Sequence, residues 1–105
     1  MTERSIQSSI LNYLSGLSSC YAYNMHGSAW SGSGRPDIVG CYRGIMFVIE
    51  IKRPGYLPTK IQLHEMNKWR KAGAIPWIAT SLQHVIELIA QIDEVKNDYG
   101  IRKSE

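Results

Sequence analysis

Cysteine is scarce in this chain: Cys20 and Cys41 are the only two, with neither CxxC spacing nor a secretory context. That excludes a disulfide scaffold and a zinc site, and both are read as small, reduced, buried side chains. A reactive-thiol enzyme built on either cysteine is a distant alternative: Cys20 has no basic residue within five positions, and Cys41 has only Arg43. Also missing is any apolar run near the roughly 20 residues a membrane span needs, and the opening MTERSIQSS has no apolar signal core. The expectation is an intracellular, cytoplasmic protein with no membrane partner. There are no repeats and no internal linker, and 105 residues allow one core, so recognition and chemistry must share one domain. Charge of one sign is in short supply too. Twelve Lys+Arg against nine Asp+Glu give +3, too little by itself to imply nucleic acid. The distribution says more, because residues 52–71 hold six bases (Lys52, Arg53, Lys60, Lys68, Arg70, Lys71) and one acid, Glu65.

What is present orders itself as α-β-β-β-α-β-α. Ile6, Ile10, Tyr13, Leu14 and Leu17 share one face of a helix over residues 3–17, which Thr2 can cap. Residues 20–26 alternate loosely as a first strand, and the Gly/Ser-rich stretch 27–36 reads as a mobile loop. DIVGCY (37–42) and IMFVIEIK (45–52) flank Arg43-Gly44, which predicts an antiparallel hairpin. After RPGYLP, residues 59–72 form a helix with Gln62, Met66 and Trp69 on one stripe, ended by Gly73. AIPWIAT is a short fourth strand whose Pro76 belongs at a strand end, a bulge or a sheet edge. The last helix starts near Thr80 or Ser81 with Leu82, Val85, Ile86, Ile89 and Ile92 inward, and the chain is expected to fray beyond Val95. The crossover through the second helix predicts that strands three and four are parallel neighbours. The fold class is α/β, a mixed central sheet flanked by helices, with its core at about residues 3–95.

Side-chain alternation within IMFVIEIK puts Phe47, Ile49 and Ile51 on one face and Val48, Glu50 and Lys52 on the other. A carboxylate and an ammonium at successive same-face positions of a central strand are expensive unless paired, coordinated or wet. The hairpin brings Asp37, just after Gly34-Arg35-Pro36, to the same rim. Hard divalent cations take one or two protein carboxylates, waters and substrate phosphate oxygens, so phosphodiester hydrolysis suits this set best.

These residues also carry a family resemblance. GRPD, EIK 13 positions after the aspartate and a glutamine ten residues further on, in this element order, resemble a PD-(D/E)xK nuclease of the restriction-endonuclease-like αβββαβα fold. More narrowly, GRPDIVGCYRG, FVIEIKRPG and PTKIQLHEMNKWRKAGAIPWIATS, with Gln7 in the opening helix, resemble the virus-type replication-repair nuclease (VRR-NUC) domain, over roughly residues 3–90. The resemblance implies that Asp37 and Glu50 bind metal, magnesium or manganese, together with the backbone carbonyl of Ile51. It implies that Lys52 serves the nucleophilic water and that Gln62 supports the site. It also implies a stand-alone phage-type, homodimeric endonuclease for branched DNA such as Holliday junctions, in replication or repair, working in the host cytoplasm if phage-encoded.

Simpler roles stand beside these. Asp37 can be a strand-initiating cap, Glu50 and Lys52 a surface ion pair, and Gln62 the far half of a Thr59-x-x-Gln62 capping box. Glu3, seven residues before Ile10, extends the buried helix stripe and either completes the metal shell or favours the helix N-terminus. Gln7, one turn on, reaches the same site or a phosphate. Arg35, Arg53, Lys60 and Lys68 are the candidate phosphate contacts. His26 and His64 lack ligand spacing and read as ordinary polar residues. Trp30 stacks on a base or fills a dimer contact, while Trp69 and Trp77 belong to the core. With no helix-turn-helix or zinc finger, selection by DNA shape is expected over sequence. The remaining alternatives are a nicking or restriction-like nuclease on the same site, and a non-catalytic DNA-binding module.

Overall fold

The structure is a computed structural model that describes residues 2–25 and 34–104, with side chains through residue 98. His26 and Trp30 lie outside the described residues. The elements are α1 (Glu3–Ser15), β1 (Cys20–Asn24), β2 (Ile38–Tyr42), β3 (Ile45–Ile51), α2 (Lys60–Lys71), β4 (Ile75–Ala79) and α3 (Leu82–Ser104). The sheet order is β1-β2-β3-β4, with β1, β2 and β3 an antiparallel meander and β4 parallel to β3. This is the expected mixed sheet, and β4 is an edge strand, where Pro76 withholds no donor from an interior ladder.

The meander follows from local chemistry. Arg43 and Gly44 both have positive φ, 51° and 84°, and Tyr42 pairs with Ile45, so the connection is a two-residue turn with the twist of the flanking strands. Arginine is a poor choice for a left-handed position, and an ion pair compensates. Its guanidinium reaches Asp93 on α3 at 2.7 Å, and Tyr42 Oη donates to the same carboxylate at 2.9 Å. Those two contacts hold the Asp93 carboxyl below its ordinary range.

One sheet face is the main core. Phe47, Ile49 and Ile51 are buried there with Ile6, Ile10 and Leu14 of α1 and Val85, Leu88 and Ile92 of α3. Each such side chain contributes about 1.5–3 kcal/mol. Gly40 is required by this packing, since a Cβ there would sit 2.5 Å from Phe47 Cζ and 2.7 Å from Ala22 Cβ. Val48 and Glu50 are buried on the opposite face, against which α2 packs through Met66, its one buried residue. Thus α1 and α3 cover one side and α2 the other, with Glu50 between β3 and α2.

Three expectations need correction. The two cysteines are not core residues, since Cys20 is half-buried on the edge strand β1 and Cys41 is exposed on β2. Helix α3 does not fray at Val95 but continues to Ser104. The core ends its claim at Ile92, and no helix breaker intervenes before Gly100, so an already nucleated helix propagates. Glu3 is exposed, while Ile6, Ile10 and Leu14 form the buried stripe, so Glu3 belongs to the solvated first turn and not to the core face. Thr2 does cap α1, accepting from Ser5 N at 3.1 Å.

Candidate active site

Asp37 is fixed by backbone before its side chain acts. Its N–H donates to Ile49 O at 2.9 Å and its carbonyl accepts from Met25 N at 2.8 Å, which extends the β2 pairing one residue towards the N-terminus. In a regular strand the N–H and C=O of one residue point the same way and repeat every second residue, an alternation that Asp37, bonded towards both neighbouring strands, breaks at the start of β2. Ile49 O points at β2, so the N–H and carbonyl of Ile51 point there too, just past the end of the ladder. Asp37 fills that end, its Oδ2 accepting from Ile51 N at 2.7 Å. The aspartate therefore does more than initiate a strand: it replaces the next ladder acceptor, and the Ile51 carbonyl faces the same gap.

Glu50 is 3% exposed, the only charged or polar residue among the described buried set. Its Oε1 accepts from Gln62 Nε2 at 2.7 Å. Its Oε2 is buried with no hydrogen-bond partner. Gln62 plays both of its candidate roles at once. While its amide nitrogen holds Glu50, its Oε1 accepts from Thr59 N at 2.8 Å and its own N–H donates to Thr59 Oγ1 at 3.2 Å, a complete capping box. The cap fixes the first turn of α2, and the first turn aims the glutamine.

Each carboxylate thus has one oxygen held by a protein donor, and the second oxygen of Glu50 lies buried without one. Burial dominates the electrostatics. It pushes Glu50 up from 4.5 to about 8, reinforced by the neighbouring charge of Asp37 and opposed by Lys52. Burial also raises Asp37, against the opposing Ile51 hydrogen bond. Two acids this close cannot both ionise freely, so near neutral pH the pair retains a proton. An orphaned buried oxygen, a second carboxylate and a strand-end carbonyl make an all-oxygen donor set, which fits a hard divalent cation that keeps several waters.

Lys52 follows Glu50 on the same face. Its N–H donates to Ala79 O at 3.0 Å, which locks the strand end to β4. Its charge lowers both acids, yet it belongs to neither of the two ion pairs among the described residues.

The other candidates sort by distance from this centre. Glu3 adds a charge felt by both acids, but no third acidic, histidine or cysteine side chain joins them in a ligand cluster among the described residues. Gln7 is half-buried on α1. Arg35, Arg53 and Lys60 are exposed, lying two residues before Asp37, one after Lys52 and two before Gln62. Arg53 stacks over the Tyr56 ring at 4.4 Å. Lys68 stands eight residues along α2 from Lys60, about 12 Å by helical rise, and is 3.6 Å from Glu65. His64 is exposed.

Two supporting contacts are not legible in the sequence. Gly34 has φ +80°, and a Cβ there would lie 2.5 Å from Ile61 Cγ2 and 2.9 Å from the Ile61 carbonyl carbon and oxygen. The loop before Asp37 therefore rests directly on the first turn of α2, and only glycine permits it. The signal was the glycine two residues before Pro36. His84 ties the end of β4 to α3: its Nδ1 accepts from Thr80 N at 3.0 Å, and its carbonyl accepts from Trp77 Nε1 at 2.7 Å. Only its place near the helix start hinted at that.

Comparison with known proteins agrees with this architecture. A solved VRR_NUC domain aligns with 84% of this chain and 94% of its own, at 27% identity and a TM-score of 0.70. A second structure, a VRR_NUC domain protein, aligns with 87% of each chain at 21% identity and a TM-score of 0.68. Hjc, a Holliday junction resolvase from the archaeal hyperthermophile Archaeoglobus fulgidus, aligns with 72% of this chain and 65% of its own at 21% identity and a TM-score of 0.57. No family profile and no curated sequence matches the chain. The mixed four-stranded sheet between helices is the restriction-endonuclease-like fold. Within that fold, the chain is similar to VRR_NUC domains, and these structures support the resemblance its motifs carry.

Proposed function

We propose that this chain is a metal-dependent DNA endonuclease that hydrolyses phosphodiester bonds at branched DNA, Holliday junctions included. The observation that carries this reading is the buried, unpartnered Glu50 Oε2 beside Asp37. A structural carboxylate has no reason to be buried with one oxygen unsatisfied, whereas a ligand does. Asp37, Glu50 and the carbonyl of Ile51 would hold magnesium or manganese, which supplies a water of lowered pKa and neutralises charge on the phosphate. Gln62 positions Glu50 without touching the reacting atoms. Lys52 Nζ, uncommitted to either described ion pair, orients the attacking water and takes part in its deprotonation. Arg35, Arg53, Lys60, Lys68 and Gln7 contact the DNA backbone, with the first three nearest the acids.

The chain carries a sufficient site for one strand. Resolving a two-fold symmetric four-way junction needs two, so the reading includes a homodimer. No helix among the described residues is long and apolar enough to cross a membrane. The test is cleavage of labelled four-way junction, nicked plasmid and linear duplex by wild type and Asp37→Ala, with magnesium, manganese or EDTA. Paired junction cuts that vanish with EDTA and with Asp37→Ala are expected. Binding of all three DNAs without cutting any, in either metal, would refute catalysis and leave a DNA-binding module.

A further inference from the structure

The segment 53–58 joins Lys52 to α2, and at its tip stands Leu57. At 85% exposed it is the most exposed large hydrophobic residue among those described, and Tyr56 beside it is 55% exposed. A lone exposed leucine needs no explanation. This one differs in how it is presented. Pro54 and Pro58 fix φ on either side, Gly55 takes φ +90°, and Tyr56 N closes a turn onto Arg53 O at 3.0 Å. The Arg53 guanidinium over the Tyr56 ring stiffens the turn further. The tip is therefore held out into solvent by its own framework.

Both ends of the segment are anchored in the site. Lys52 N is bonded to Ala79 O, and Gln62 is bonded to Glu50. Leu57 is five residues from each, so its Cα lies within about 17 Å of both even if the chain were fully extended. That span is about five base-pair steps at 3.4 Å each. From Lys52 to His64 the sequence has three cations, Lys52, Arg53 and Lys60, and no acid, which suits an anionic polymer better than a protein surface of mixed charge.

We propose that Leu57, backed by Tyr56, is a wedge that enters the interrupted base stack at a branch point and so selects branched over continuous duplex. Apolar side chains inserted between base steps unstack them, at a cost of about a few kcal/mol per step, and aromatic rings accept the freed base face. That cost is lowest where pairing or stacking is already broken. A wedge of this kind reads shape without reading base edges. It rests on the nuclease reading and supplies what that reading lacks, a residue responsible for choosing the branch.

The test places 2-aminopurine at each of five steps around the branch of a four-way junction and around the matching step of a linear duplex. Asp37→Asn protein is used for binding, so that no cleavage intervenes. Fluorescence is expected to rise several-fold on the junction alone, to remain with added Leu57→Met and to disappear with added Leu57→Ala. In the active background, Leu57→Ala is expected to reduce junction cutting at least about tenfold relative to nicked duplex. Unchanged fluorescence and unchanged selectivity in Leu57→Ala, with wild type still cutting junctions, would overturn the wedge and leave the nuclease intact. Loss of a dimer in Leu57→Ala by light scattering would also overturn it, assigning Leu57 to a subunit contact. Wild type that cuts no DNA would instead remove the reading on which the wedge rests.

Discussion

Replacing Glu50 by glutamine isolates the strain of burying an acid without its ligand. The substitution keeps shape, and its carbonyl oxygen can still accept from Gln62 Nε2, as Glu50 Oε1 does at 2.7 Å. Below pH 4.5 wild-type Glu50 is protonated in both folded and unfolded chains, and the two proteins should differ by less than about 1 kcal/mol. Above that, the unfolded acid ionises while the folded one, raised to about 8, still holds its proton. Folded Glu50 then binds more protons than unfolded Glu50, so its contribution to stability falls as pH rises from 4.5 to about 8 and levels off beyond. At about 1.4 kcal/mol per tenfold, the difference is on the order of 5 kcal/mol at most. Asp37, relieved of the Glu50 charge, shifts the comparison the same way. Urea unfolding at pH 5, 7 and 9 without metal should show Glu50→Gln gaining on wild type at each step. Magnesium at 100 times its Kd should narrow the gap at pH 8 by about 2.7 kcal/mol, since it stabilises wild type and finds no second carboxylate in the variant. Parallel stabilities for the two proteins from pH 5 to pH 9 would refute the argument that burial governs Glu50.

Two other substitutions separate scaffold from site. Thr59→Ala and Gln62→Ala should each lose about 1 kcal/mol of cap stability, but only Gln62→Ala strips Glu50 of its donor, so cleavage should fall well beyond the Thr59→Ala level; equal activity at matched stability would deny Gln62 a positioning role. Gly34→Ala should destabilise by about 1–3 kcal/mol in urea titration, and adding Ile61→Ala should not restore it, because the Ile61 backbone at 2.9 Å stays in the way; a full rescue would show that the side chain alone forbids a Cβ.

Much of this was legible from residue order because the governing interactions are periodic. Alternation in IMFVIEIK put Glu50 and Lys52 opposite the core face, and the short Arg43-Gly44 turn fixed the register that brings Asp37 to Ile51. What was hidden depends on three-dimensional approach. Gln62 looked like a choice between cap and ligand support because sequence spacing cannot show that its two amide atoms serve different partners. Glu3 fell on the buried stripe by counting turns, yet a helix start lies beyond the edge of the layer below it. The glycine of GRPD counted as part of the motif, but its steric reason, the proximity of Ile61, exists only in the fold.

The length of α3 has a practical use. Parallel pairing puts Ala79 beside Ile51, so α3 starts near the acids, and the Asp93 contact with Arg43 shows that it runs back to the hairpin turn at the opposite end of the sheet. From Ile92 to Ser104 it adds about 18 Å more of helix, on the sheet face away from α2. A fluorophore or surface tether fused at the C-terminus would stand on the order of 35 Å from Asp37 and Glu50, about the rise of the 23-residue helix. Such a handle leaves the end that carries the two acids open, so single-molecule recordings can test DNA binding and release without covering the proposed site.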